Sequence, residues 1–432
     1  DWVLPRLSPR ARKLTVRHKT DRRTGETTRK VTLDKAARFN LLTLLQESPD
    51  EAFDPAVTEV IELVDEAGRT SVSKYAAMVD RADPQDARVR GAYLYAGAGQ
   101  TGRFSSLGLQ VHNFTRVCAE DPDAVRDDVL GDYELDDVLS TLASMLRPSI
   151  IAAEGRVFTC GDWSGIENRV LPWLAETMEP KGRAEVLAME SLKERLYLLG
   201  EGADMYVRTA KTFGGTRQEG KVAELALGFG GGVGAFQAMA RNYNVRISDE
   251  KAESIVYAWR KANRWAVMFW GRLDRAVSRA MRRPGEWQNV GRLWYGRVPG
   301  GPLVCRLPSG RCLYYPQLEW TSDKWGNPIV SAIKGSWKPK ADEADWPRFD
   351  LWGGLLAENA TQACAADVLT DCMVRVEEAL PDMLVGHTHD ELLLEGERDV
   401  RDELRELMLT PPSWAEGLPL DAELWSARRY QK

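Results

Sequence analysis

Two acidic stretches far apart in the chain hold the residues best suited to chemistry. One is Arg156-Val-Phe-Thr-Cys-Gly-Asp162-Trp-Ser-Gly-Ile-Glu167-Asn-Arg169, and the other is Met383-Leu-Val-Gly-His387-Thr-His389-Asp390-Glu391-Leu-Leu-Leu-Glu395. In the first, the apolar and β-branched run Val157 to Cys160 predicts a buried strand that Gly161 ends just before a carboxylate. Ile166, Val170, Leu171 and Leu174 then recur at helical spacing. Asp162 is therefore expected at a strand-to-helix junction, where it could hold a metal or, as a lone Asp more commonly does, cap the helix. In the second stretch, apolar residues flank a His-Asp-Glu centre, the pattern of a hairpin with its charges at the turn. Charges between buried strands are costly unless compensated. Two Mg²⁺ ions held by Asp162 and Asp390, ~3.5–4 Å apart, would compensate them and clamp an in-line phosphoryl displacement.

A third stretch offers the opposite charge. Between Thr216, a good N-cap, and a glycine run from Gly230, the sequence predicts a short helix with Arg217, Lys221, Leu225 and Phe229 four residues apart. Each step of four drifts only ~40°, so two cations and an aromatic share one slowly turning face. Cations near a helix N-terminus can cradle a triphosphate, although a plain exposed basic face has the same pattern. Gly220 costs ~1 kcal/mol relative to Ala inside a helix and is expected to make this one easier to move.

The remaining chain must position these stretches. Its 432 residues exceed one compact core, so two or three subdomains are expected. Composition is that of an ordinary globular protein, and no apolar run approaches the ~20 residues of a bilayer span, which predicts no membrane partner. Six cysteines without a C-x-x-C pair read as reduced thiols in the cytoplasm. The chain opens on Asp1 rather than Met, which reads as a fragment or processed product. The formal charge of −6 argues weakly against nucleic acid, but residues 1 to about 35 are locally basic and read as a solvated arm or a phosphate contact. Helical patterns follow at Ala36–Gln46, Pro55–Ala67 and Val72–Asp83, as in a small all-α lobe. Next comes a Gly/Ser-rich loop with Thr101-Gly-Arg103 and then Asn113, and an acidic connection at 119–140. Further helices are expected at Ala184–Leu199 and from Asp204 to Phe213, a β-hairpin at Leu307–Pro316, and a helix from Leu355 to Glu378 carrying Gln362. Residues 250–350 interleave many tryptophans with Arg and Lys, which suits base stacking, although core packing accounts for most of the rings.

Together these motifs resemble the DNA polymerase I family, or family A. The run from Asp162 to Arg169 resembles its motif A, Arg217-x-x-x-Lys221-x-x-x-Leu225-x-x-x-Phe229-Gly230 its motif B, and His389-Asp390-Glu391 its motif C. Thr101-Gly-Arg103 with Asn113 is similar to the segment that enters the palm, and Gln362 stands where the family has a Gln before motif C. The resemblance runs from about Ser71 to the C-terminus, and the glycine-rich end of motif B looks most like bacteriophage polymerases. Gly165, Leu225 and Phe229 depart from the commoner Gln, Phe or Tyr, and Tyr.

The resemblance implies an α+β right-hand fold, with an antiparallel-sheet palm, helical fingers and a helical thumb. The thumb would occupy 1–87, the palm 88–205 and 350–432, and the fingers 206–349. It implies a monomeric DNA polymerase in phage replication, with primer–template DNA and deoxynucleoside triphosphates as partners, inside an infected host cell. Mg²⁺, with Mn²⁺ as a substitute, would bind Asp162 and Asp390, with Trp163 beside them. Asp162, Asp390, Lys221 and Glu391 form the implied catalytic group. Arg217, Lys221, Leu225, Phe229, Glu167 and His389 would meet the nucleotide, with Glu167 crowding the sugar 2′ position. Arg103, Asn113, Gln362 and Arg169 would meet DNA. The rival readings are a single-subunit RNA polymerase, which would need a small residue at Glu167, and a silent nucleic-acid-binding module.

Overall fold

The computed structural model describes residues 2–20, 27–47, 55–67, 70–131, 137–176, 180, 182–243, 245–323, 325–334 and 347–431. Thr24, Gly25, Trp337 and Trp346 lie outside them. The chain divides into two compact units, one of residues 1–89 and 114–149, the other of 90–113 and 150–432. The segment 114–149, expected in the palm, thus belongs with the N-terminal helices. Tyr75 Oη donates to Leu142 O at 2.7 Å, and Lys74 Nζ sits 5.5 Å from the Phe114 ring centroid.

The first unit holds α1 (Pro9–Leu14), β1 (Val16–Thr20), β2 (Thr27–Val31), α2 (Lys35–Glu47), α3 (Pro55–Ala67), α4 (Lys74–Arg81), α5 (Pro122–Leu130) and α6 (Val138–Ser144). Val3, Leu7, Ala11, Leu41, Leu44, Val57 and Ile61 make its core. The basic arm is not merely a solvated tail: β1 and β2 pair antiparallel, with Val16 opposite Val31.

The second unit opens with the short pair β3 (Tyr93–Leu94) and β4 (Ser105–Ser106), followed by β5 (Val157–Trp163). A helical run comes next: α7 (Ile166–Ala175), α8 (Arg183–Gly200), α9 (Met205–Phe213), α10 (Arg217–Leu227), α11 (Val233–Asn242), α12 (Asp249–Ala262) and α13 (Arg264–Arg282). A β-rich insertion follows, of β6 (Trp287–Val290), β7 (Leu293–Arg297), β8 (Leu303–Arg306), β9 (Cys312–Tyr315), β10 (Glu319–Ser322), β11 (Pro328–Ile333) and β12 (Arg348–Leu351). The chain closes through α14 (Gly353–Ala379), β13 (Leu384–His387), β14 (Glu391–Gly396), α15 (Arg401–Leu409) and β15 (Ala422–Ala427). No helix among the described residues is long and apolar enough to cross a membrane.

The sheet that carries both acidic stretches has the order β13-β14-β5-β15, antiparallel throughout. Alternation along β5 sends Phe158 and Cys160 into a small cluster with Leu393 and Tyr430. Its other face meets α15: a Cβ on Gly161 would lie 2.3 Å from Met408 Sδ, so a larger residue would push the methionine aside, and Trp163 Nε1 donates to Met408 O at 2.9 Å. Gly161 therefore does not end the strand, as its type suggested, but admits α15 to the middle of it.

Candidate active site

Asp162 lies within β5, one residue from its end, and does not cap α7; Gly165, in the left-handed region at φ 62, takes the cap position. Across the ladder Asp162 faces Glu391 on β14 and Glu423 on β15, so three carboxylates form one row over the sheet. Trp163 N donates to Asp390 O at 2.8 Å, which fastens the β13–β14 turn beside β5. The expected hairpin is present, and the backbone of its turn lies against the end of β5. Glu391 is 3 % exposed and Asp162 7 %, while Glu423, which sequence reading did not single out, is open to solvent. Its signal lay in strand register, which one sequence does not display. Trp163 is buried at 1 % with its indole N–H committed to Met408, so its side chain offers a metal no donor. Among the described residues no group of three or more His, Cys, Asp or Glu has a metal-holding arrangement.

Helix α10 begins with a complete capping box between Thr216 and Glu219 and ends at Leu227, so Phe229 stands in the turn beyond. Arg217 is exposed, and Lys221, Leu225 and Phe229 are half-buried, whereas Gly220, Val222, Ala223, Glu224, Ala226 and Leu227 are buried. The row read at intervals of four is thus the open side of the helix. Arg217 Nε donates to Asp204 Oδ2 at 2.6 Å, its guanidinium lies 5.3 Å from the Tyr206 ring centroid, and it also feels Glu423. Burial pushes the Asp204 carboxyl up, but the hydrogen bonds from Arg217 and the Val207 amide outweigh it and leave the group below its ordinary value. Lys221 Nζ sits 5.2 Å from the Tyr243 ring centroid.

The buried side of α10 carries an ion cluster absent from the sequence reading. Glu224 accepts from Arg195, from Thr209 Oγ1 at 2.5 Å and from Trp259 Nε1 at 3.1 Å, which ties α10 to α8, α9 and α12. A charged residue within an amphipathic helix ordinarily reads as solvated, so the sequence held no signal for this. Gly220 also has a different meaning from the expected one. A Cβ there would lie 2.0 Å from Tyr206 O, so the glycine permits close contact with α9.

Arg103, in the loop before β4, is ion-paired with Glu167 at the start of α7. Gln362 on α14 donates to Glu358 Oε1 at 3.3 Å. Burial raises the Glu358 carboxyl, the negative charge of Glu167 adds to the rise, and Arg103 opposes it. Arg103, Glu167, Glu358 and Gln362 are therefore one polar group. Arg311, in the β8–β9 turn, fastens the loop to α14: it donates to Thr101 O at 2.9 Å, Ala363 O at 2.8 Å and Asp367 Oδ1 at 2.6 Å. Asn113 is exposed nearby in sequence, at the end of a short 3-10 turn.

Three of the four histidines pack together. His112 stacks on His389 with ring centroids 4.5 Å apart, and His387 stacks on Tyr93 at 4.2 Å. Burial lowers His112 to about 3, and the neighbouring His389, His387 and Arg103 push it the same way. Arg169, expected at DNA, is instead buried at 4 %: it donates to Ser164 O at 2.7 Å, Leu199 O at 3.0 Å, Pro419 O at 3.2 Å and Asp421 Oδ2 at 3.3 Å. Four internal acceptors take four of its five N–H groups, and it locks α7 to the C-terminal segment.

This architecture is shared with solved polymerase domains. It matches the POL domain of Pol1 from M. smegmatis, solved as a complex with DNA primer-template and dNTP, with a TM-score of 0.57 and 16% identity over 96% of this chain and 58% of that one. The fold is accordingly of the polymerase-domain class. In sequence, the chain is 33% identical over 421 residues to the DNA polymerase of Bacillus phage SP02. The match takes in 93% of this chain, which spans 61% of that relative's length. The phage relative bears out the resemblance to phage-type polymerases, and the solved domain bears out the expected fold. No protein-family model matches the chain.

Proposed function

We propose that this chain adds deoxynucleotides to a primer 3′-OH under the direction of a template, releasing pyrophosphate, in replication of a phage genome. One observation supports the reading above the others. The register sets Asp162 beside the Asp390–Glu391 turn, on the sheet whose neighbouring Glu423 is felt by Arg217 of α10. Acids for divalent ions facing cations for a polyanion are what phosphoryl transfer requires. The phage DNA polymerase relative, and the neighbour holding primer-template and dNTP, support the substrate class.

Asp162 and Asp390 offer the hard oxygen donors that Mg²⁺ prefers, so the residues fit this ion. Bound there, Mg²⁺ would activate the primer hydroxyl and neutralise charge on the leaving pyrophosphate. Arg217 and Lys221 grip the triphosphate, and Lys221 passes a proton to the leaving group. Leu225 and Phe229 lie under the nascent base pair, and Glu167 crowds the sugar 2′ carbon. Arg103, Asn113 and Gln362 face the primer end, with His389 near its terminus. The N-terminal helices act as thumb, residues 206–349 as fingers, and the β5 sheet as palm.

The test is primer extension with Mg²⁺ by the parent chain and by Asp162→Asn and Asp390→Asn. Extension should drop at least about 100-fold in each variant. Undiminished synthesis by either would overturn the reading.

A further inference from the structure

The sheet β6-β7-β8-β9 has one face in the core, and the other, although Gly296 and Val304 on it are covered, exposes three large rings that mere solvation does not explain. Inward go Leu293, Tyr295, Leu303, Cys305, Leu313 and Tyr315, each no more than 4 % exposed. Outward, register and alternation give two adjacent rows: Trp287–Gly296–Val304–Tyr314 and Asn289–Trp294–Arg306–Cys312. Trp287, Trp294 and Tyr314 are 45 %, 47 % and 63 % exposed. Burying a large ring is normally favourable, so three on one open face point to a partner.

Charge says what kind. Of the five arginines in residues 283–318, Arg283, Arg292 and Arg311 are ion-paired with Glu286, Glu176 and Asp367, and Arg297 lies in the inward row opposite Leu303, so Arg306 is the cation of the outward rows. Arg306 is exposed and lies in the row beside Trp294. Trp287 and Trp294 sit diagonally on neighbouring strands, roughly 7–8 Å apart. Tyr314 lies two strands beyond Trp294, so each ring is placed to take its own base. Flat exposed rings with an arginine between them suit bases whose faces are free, and a duplex hides those faces.

We propose that this outer face is a stacking platform for single-stranded DNA, separate from the carboxylate site and carried by Trp287, Trp294 and Tyr314 with Arg306 on the phosphates. It rests on the proposed function only in taking nucleic acid as the ligand.

The experiment is fluorescence anisotropy of the full chain with fluorescein-labelled oligo(dT), in EDTA and without triphosphate, with a blunt duplex of equal length as the comparison. Trp294→Ala and Tyr314→Ala should each weaken oligo(dT) binding about tenfold or more, with duplex affinity unchanged. Trp294→Phe should restore most of the loss. Arg306→Ala should flatten the slope of log affinity against log salt by about 0.7. Unchanged oligo(dT) affinity in the Trp294→Ala/Tyr314→Ala double variant, with a parental melting curve, would overturn the proposal, as would an equal loss for the duplex. A parent chain that fails to extend primers yet shows ring-dependent oligo(dT) binding would sink the polymerase reading and leave this one standing.

Discussion

The guanidinium of Arg103 donates to the carboxylate of Glu167, joining two residues 64 positions apart. Neither side chain is more than 26 % exposed. The pair fixes where the carboxylate points, which matters more for excluding a hydroxyl than its mere presence. Under the proposed function, Glu167→Ala raises the ratio of ribonucleotide to deoxyribonucleotide kcat/KM about tenfold or more, since a polar exclusion of this kind is worth ~1–3 kcal/mol. Arg103→Ala should move the ratio the same way by a smaller factor. A parent that already accepts both sugars equally would contradict this and favour the RNA-polymerase reading.

Asp204 holds the Arg217 cation that the triphosphate is proposed to need. Asp204→Asn keeps the N-cap acceptor for Val207 but removes the charge. An exposed pair is worth up to ~1 kcal/mol, so the variant should lower the KM for nucleotide up to about fivefold with kcat unchanged. A raised KM would mean that Asp204 orients Arg217 rather than competing for it.

Glu224 is buried with Arg195 and two further donors. Glu224→Ala leaves the guanidinium without its partner and should cost about 3–5 kcal/mol of stability, read by denaturant unfolding. Glu224→Gln, which keeps oxygen acceptors, should cost less. Equal stability of the alanine variant and the parent would show the cluster to be energetically idle.

Helix propensity alone says that Gly220→Ala stabilises α10. The close approach of Tyr206 O says the reverse. Thermal melting of this variant separates the two, and the expected result is a lower Tm with weaker primer extension, because α9 and α10 must part.

His112 is held neutral, with its pKa lowered to about 3 from 6.5. Between those values the unfolded chain binds a proton that the folded chain does not, so this residue makes stability rise with pH in that window and fall as the solution is acidified. Denaturant midpoints at pH 7 and pH 4.5 should therefore differ less for His112→Gln than for the parent. A wider gap would reverse the assigned sign.

Local pattern was legible in the sequence wherever one element carried it. The β13–β14 hairpin, the Thr216 cap, the open face of α10 and the long α14 all follow from period and turn chemistry. What remained hidden depended on which strands or helices are neighbours. Glu423 joins Asp162 only through the β15 register, and Gly161 and Gly220 are explained by a methionine and a carbonyl from other elements. Arg169 lay inside a strong motif, and its burial is decided by Leu199 and Pro419, which no local reading connects to it.

Strand β5 sits between β14 and β15, both of which follow it by more than 200 residues. During synthesis its edges stay unpaired until β14 and β15 have left the ribosome, so this sheet is completed only after the helices and strands between them have been made. A chain cut short before β14 thus cannot bring Asp162 and Asp390 together, whatever else of it has folded.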